Sequence, residues 1–339
     1  MIETVEQLDD VLSEPSDAAV RAMGHLEGDV IVLGVGGKMG PTLARMAKRA
    51  GERAGVRRRV IGVSRFSNAD EEAKLKQWGV EAIRCDLLDR AALHALPDAP
   101  NVVYMAGMKF GSTGQEATTW AMNCYLPGIV CEKYNRSRIV AFSTGNVYGL
   151  VPVRGGGSVE SDSLNPLGDY AMSCVGRERL FEHFSRTLGI PVSIIRLNYA
   201  CELRYGVLVD LARRVYGGEP IDLPMGHMNV IWQADANATA LASFGRASSP
   251  PFVLNVTGRE VLSVRLLCEV LAQRLGKRVT FTGTESPDAL LSNARVAHEL
   301  YGPARVSVNQ VIDWVAHWVA QGGATLGKPT HFEVRDGKF

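Results

Sequence analysis

The stretch Gly34-Val-Gly-Gly-Lys-Met-Gly40 constrains this chain more than any other, because it joins an apolar run directly to a helical pattern. Asp29-Val-Ile-Val-Leu33 leads into it, and residues 40–50 behind it put Leu43, Met46 and Ala47 on one helical face. Glycines at 34, 37 and 40 permit a tight turn, close approach of a pyrophosphate, and tight packing of helix on strand. The helix then offers its first N–H groups and the positive end of its dipole to phosphate oxygens. Strand, glycine loop and helix in this order read as the phosphate site of a dinucleotide, formed by Gly34, Gly37, Lys38, Met39 and Gly40. A P-loop is excluded, because Lys38 lacks the required spacing and is followed by Met39 rather than Ser or Thr.

The same rhythm continues beyond the loop. Apolar runs at 59–63, 82–85, 101–105, 137–143 and 192–197 read as further strands, with a helix over 71–78. Nearly continuous apolar strands alternating with helices imply an α/β fold, a doubly wound parallel Rossmann sheet covered on both faces. After residue 198 the pattern loosens. Helices are expected at 205–217, 263–275 and 308–319, and short strands at 229–232, 252–255 and 279–282, forming a smaller C-terminal substrate lobe. The expected division is an N-terminal helical extension (1–27), a dinucleotide-binding domain (28–197, with 229–256 returning to it), the substrate lobe (198–228 and 257–325) and a tail (326–339). The extension reads as a surface adornment, with Ser13 or Ser16 starting its second helix, and the Gly-rich end from Gly322 as mobile.

Composition excludes several classes. A net charge of +1 over 339 residues gives no global field for nucleic acid or an anionic membrane. Arg57, Arg58 and Arg59 form one basic run, read as a solvated loop before a strand or as added potential near a cofactor phosphate. No segment approaches the roughly 18 apolar residues of a membrane span. Glu3, Glu6, Asp9 and Asp10 give the start the opposite charge to a signal peptide, so a cytoplasmic location is expected. The cysteines at 85, 124, 131, 174, 201 and 268 are scattered, without a C-x-x-C pair or zinc-ligand spacing, and read as free thiols with no metal.

The second strand of such a fold normally ends in an acid that binds the adenosine ribose; here it ends Val63-Ser64-Arg65. Without an acid nothing repels a 2′-phosphate, and Arg65 offers it a charge-assisted bond, so NADP is favoured over NAD. Asp86 and Leu87, after the third strand, are placed to meet the adenine.

Phe142-Ser-Thr-Gly-Asn-Val-Tyr-Gly149 ends the fifth strand, and Pro166-Leu-Gly-Asp-Tyr-Ala-Met-Ser-Cys174 enters a helix. Together with the glycine loop, these motifs resemble the extended short-chain dehydrogenase/reductase family, over residues 28 to 320. The resemblance implies that Tyr170 is an acid/base and that Thr144 hydrogen-bonds the reacting oxygen. It further implies cofactor contacts at Ala106, Gly107 and Asn123, with Lys109 near the cofactor as in the epimerases of that family. Substrate contacts are expected at Thr144, Asn146, Asn198, Arg204 and His227, and a homodimer paired through two helices by family analogy.

The chain also departs from the family. Its Tyr-x-x-x-Lys motif carries Cys174 in place of the lysine that lowers the tyrosine pKa. Lys109 and an oxidised nicotinamide are the expected partial substitutes, and Arg177, a turn further on, is not expected to reach. Gly145 and Asn146 replace the Asp-Glu of sugar-nucleotide dehydratases. Met228 replaces an arginine that grips a diphosphate, while Asp235 of the same segment is kept. The leading expectation is an oxidoreductase or epimerase of a small sugar, sugar acid or polyol-like molecule. A sugar-nucleotide epimerase and a catalytically silent dinucleotide sensor are the alternatives.

Overall fold

The computed structural model describes residues 1–66, 68–109 and 114–338. Seven parallel strands form the central sheet: β1 (Val30–Leu33), β2 (Val60–Ser64), β3 (Glu81–Arg84), β4 (Asn101–Tyr104), β5 (Arg138–Thr144), β6 (Val192–Leu197) and β7 (Phe252–Val256). Their order is β7-β6-β5-β4-β1-β2-β3, so the winding reverses between β1 and β4. A crevice opens at the carboxyl ends of strands flanking such a reversal.

Alternation along the strands divides the interior in two. Val30 and Val32 of β1 join one core, while Ile31 and Leu33 join the other. The first core holds α1 (Val5–Leu12), α2 (Asp17–His25) and α3 (Gly40–Arg53). On the far side lie α5 (Arg90–His94), α7 (Leu126–Lys133) and the long α8 (Gly168–Leu188), with α4 (Ala69–Gln77) linking β2 to β3 and α6 (Glu116–Trp120) preceding α7. α9 (Val207–Gly217), α11 (Val264–Leu275) and α13 (Val308–Ala320) pack together as a lobe, while α10 (Gln233–Ala242) lies against α2 and α12 (Arg295–Tyr301) against β7. Two-residue parallel pairings, such as Ile221–Asp222 with Phe281–Thr282, stitch the lobe together.

The run at 252–255, read from the sequence as a strand, stands seventh in the main sheet, in register with β6 from Phe252↔Ser193 to Val256↔Leu197. Two other expectations change. The N-terminal extension is not an adornment: Leu8, Leu12 and Met23 are fully buried. Their apolar faces form because α1 is closed by a Thr4–Gln7 capping box and α2 is capped by Ser16, which leaves the opposite faces to pack on α3 and α10. The tail is held in place: Leu326 N–H donates to Arg204 O at 3.0 Å, and Thr330 N–H and hydroxyl donate to Asp210 at 2.7 and 2.6 Å. Phe332 is buried, and Arg335 donates to Pro224 O and the Asp288 carboxylate. This path brings Gly337 against Leu167 and Gly168, at the start of α8.

Leu12 tests the role of the extension. Leu12→Ala should cost about 2–5 kcal/mol in urea unfolding, as for a core leucine, and a loss under about 0.5 kcal/mol would return the extension to the surface.

Candidate active site

The glycine loop is built by contacts that glycine alone permits. Gly34 has φ +90°, and a Cβ there would lie 2.6 Å from Ala106 N, at the end of β4. Gly40 sits so close to the Val35 carbonyl that a Cβ would overlap it, which seats α3 on the loop. Gly37 N–H donates to Gly34 O at 3.1 Å and Gly40 N–H to Gly37 O at 3.2 Å, closing two successive turns. Gly37 differs from its neighbours: it is exposed, and a Cβ would meet only Gly34 O at 3.4 Å. Its open side faces no protein wall, as a phosphate cradle requires. α3 has Pro41 in its first turn and no side-chain cap among the described residues, so its anion-attracting end stays available. These residues fit a dinucleotide pyrophosphate.

Around the loop, Ala106 is buried and Gly107 exposed at the end of β4. Ser64 lies beside Gly36, and Arg65 is exposed. Asp86 is exposed and accepts from Leu88 N–H at 3.0 Å, whereas Leu87 is buried.

Thr144 ends β5 and Tyr170 stands in the first turn of α8, so the sheet edge and the helix start bring them together. Thr144 and Cys174 both act there on the Tyr170 phenol. Burial pushes the Tyr170 phenol well above its ordinary range, and Cys174 pushes the same way, while Arg177 and Thr144 pull it back. Lys109 Nζ lies 5.7 Å from the centre of the Tyr170 ring, and burial lowers its pKa to about 8.

Arg177 does reach this cluster, against the sequence expectation. Its Nη1 donates to Phe142 O at 2.8 Å and its Nη2 to Asn123 Oδ1 at 2.7 Å, and its charge acts on both Tyr170 and Cys174. A lysine is short and easily neutralised by burial, whereas a guanidinium spans the extra helical turn and stays charged. Asn123 is fully buried in a π-helical turn, Ala121–Tyr125. It also accepts from Met108 N–H and donates to Met108 O and Ser173 Oγ, fixing the loop after β4 to α8. Behind the strip, Ser143 and Arg196 bind the buried Glu178 carboxylate at 2.5 and 2.7 Å. Arg196 also donates to Tyr148, whose hydroxyl donates to Asn255.

On the lobe side, Lys38 Nζ stands 3.4 Å from the centre of the Tyr205 ring. Burial, then the charges of Lys109 and Lys328, lower its pKa to about 7, against the pull of Asp210. Lys328 comes from the tail, so that segment contributes charge to the site. Asn146 borders the strip, and its N–H donates to Thr144 Oγ1 at 3.2 Å. The other expected substrate contacts are placed apart from it. Asn198 is buried behind Gly145, donating to Asn229 Oδ1 and Leu290 O. Arg204 is engaged by Glu202 and Asp9 of α1. His227 sits in a short pairing with Ser263, near Glu285. Lys328 and the Tyr205 ring escaped the sequence reading, since neither lies in a motif. Among the described residues no group of His, Cys, Asp and Glu could hold a metal. No described helix is long and apolar enough to cross a membrane.

The chain belongs to the NAD dependent epimerase/dehydratase family, whose model matches residues 30–221. It is thus an enzyme of the extended short-chain dehydrogenase/reductase type. A search of curated proteins gives no match. Among solved structures, it is similar to UDP-glucuronic acid 4-epimerase from Bacillus cereus in complex with UDP-glucuronic acid and NAD. The identity is 17%, the TM-score 0.71, and 86% of this chain and 99% of that one are covered. DesIV, a dTDP-glucose 4,6-dehydratase from Streptomyces venezuelae with NAD and TYD bound, matches at 18% identity and TM-score 0.73, covering 86% and 97%. UDP-glucose 4-epimerase from Thermotoga maritima matches at 16% identity and TM-score 0.69, covering 87% and 99%. At these identities the likeness is one of fold.

Two variants test the site. Gly37→Val should weaken NADH binding by about 100-fold or more without altering the circular dichroism, because its branches enter the pyrophosphate space; unchanged affinity would move the phosphate site elsewhere. Lys38 has a folded pKa of about 7, below its unfolded value of 10.5. The folded state therefore releases this proton first, and the penalty for burying the charge is largest below pH 7 and shrinks as pH rises. Lys38→Met should raise the melting temperature of the ligand-free protein more at pH 6 than at pH 9, by about 2 °C or more. An equal gain at both pH values would contradict the shift.

Proposed function

We propose that this enzyme is a nicotinamide-dinucleotide-dependent oxidoreductase or epimerase of a small sugar, sugar acid or polyol-like substrate. The observation that carries the reading is the Tyr170 phenol, set between Thr144 at the end of β5 and Cys174 on α8 at the sheet edge that also carries the glycine loop. The dinucleotide supplies hydride transfer when bound. Its pyrophosphate would be held by the loop from Gly34 to Gly40, and its nicotinamide end by Ala106, Gly107 and Lys109, with Asn123 fixing the loop behind them. Thr144 would orient the reacting oxygen and Tyr170 would exchange the proton at that oxygen. With its phenol pushed up by burial, Tyr170 stays protonated across neutral pH and acts chiefly as a donor, which favours carbonyl reduction. Lys38 and Lys109, with pKa values of about 7 and 8, present cations to an acidic substrate at mildly acid pH.

A sugar-nucleotide substrate is the second reading, favoured by the ligands named for the similar structures. Met228, fully buried, gives a diphosphate no charge to bind. We further propose a homodimer. Trp120 and Tyr125 expose aromatic surface on the turn before α7, and Cys124, Ile129, Leu180 and Phe184 line an apolar groove beside them. A second copy of these two helices would cover it.

The experiment is a screen of sugars, aldonic and uronic acids and their keto forms with both dinucleotides. Tyr170→Phe should abolish turnover in both directions, and normal turnover would remove Tyr170 from the chemistry. Oxidation should accelerate with rising pH into the alkaline range.

A further inference from the structure

The expectation of NADP rests on Ser64 and Arg65 standing where an acid usually ends the second strand. The fold returns an acid to that spot from another element. A Cβ built on Gly36 would lie 2.5 Å from Ser64 Oγ and 3.6 Å from Glu71 Oε2. A loop glycine, the last residue of β2 and a carboxylate from the first turn of α4 therefore meet at one point. On the dinucleotide reading, the adenosine ribose would lie there, beside the end of the second strand and next to the pyrophosphate turn.

The position of Glu71 is fixed by the turn before it. Phe66 takes φ +47° and is buried, which plugs the turn into the core. Arg84 Nη1 donates to Arg65 O at 2.9 Å and Phe66 O at 2.7 Å, tying the turn to β3. Asn68 then caps α4, accepting from Asp70 N–H at 2.9 Å. The neighbouring Glu72 is drawn outward by Arg84 and Lys76, at 3.0 and 2.7 Å. Glu71 is half-buried and faces Gly36, whereas Arg65 is exposed, where solvent and salt screen its charge.

We propose that Glu71 reads the adenosine ribose, accepting a hydrogen bond from its 2′-hydroxyl and repelling a 2′-phosphate, so that the enzyme selects NAD over NADP. The proposal rests on the reading that the glycine loop holds a dinucleotide. The test titrates the full chain with NADH and NADPH, following nicotinamide fluorescence, for the unmodified protein, Glu71→Gln and Arg65→Ala. NADH should bind at least about tenfold more tightly than NADPH. Glu71→Gln removes the charge on a surface-accessible side chain and should tighten NADPH by about tenfold while weakening NADH by less. Arg65→Ala should leave NADH affinity within about twofold. Tighter NADPH binding by the unmodified protein, or an unchanged affinity ratio in a Glu71→Gln variant that melts normally, would overturn the proposal. Binding of neither dinucleotide would overturn the dinucleotide reading and this one with it.

Discussion

The seating of α3 on the sheet governs the rest of this structure. Gly34 lets the loop pass within contact of Ala106, and Gly40 lets the helix begin against Val35. These approaches put a helix terminus over the point where the sheet order reverses, between β1 and β4. A Cβ at Gly34 or Gly40 would run into the backbone of Ala106 or Val35, so the loop or the helix would have to shift. Because α3 also packs against α1, α2 and α10, one core depends on the same two contacts as the candidate ligand site.

The second organising feature is a displaced charge. The family resemblance predicts a lysine at position 174, one turn after Tyr170, and the chain has a buried cysteine there. The cation comes instead from Arg177, anchored on Asn123 and Phe142. A guanidinium holds its charge where a buried ammonium does not, as the lowered pKa of Lys109 nearby illustrates. The cysteine pushes the phenol pKa up, where a cation would lower it, so the surroundings favour the neutral phenol. On the proposed reading, the pair of changes tilts Tyr170 toward donating a proton.

What the sequence disclosed follows from the range of the interactions involved. The glycine loop, the strand that ends in Thr144 and the helix that begins near Tyr170 are set by local periodicity and turn chemistry, so their residues could be named from spacing. β7 was harder, because five residues at Phe252–Val256 join the sheet only through register with β6. The tail misled, since its glycines suggest mobility while Phe332, Thr330 and Arg335 find partners up to 120 positions away. Glu71 was invisible for a similar reason. An acid in a charged helical turn looks like ordinary solvated surface until the turn at Phe66 aims it at Gly36. Arg204 and Asn198 failed to join the strip because each satisfies a buried neighbour, a commitment that position along the chain does not reveal.

The lysine on the Tyr205 ring has a consequence for calorimetry. With a pKa of about 7, Lys38 is a mixture of ammonium and amine at neutral pH. An anion arriving beside it favours the ammonium, so each binding event draws part of a proton from the surrounding buffer. The heat of complex formation then contains the buffer's own ionisation enthalpy. It would differ between Hepes and Tris at the same pH, although the affinity would not.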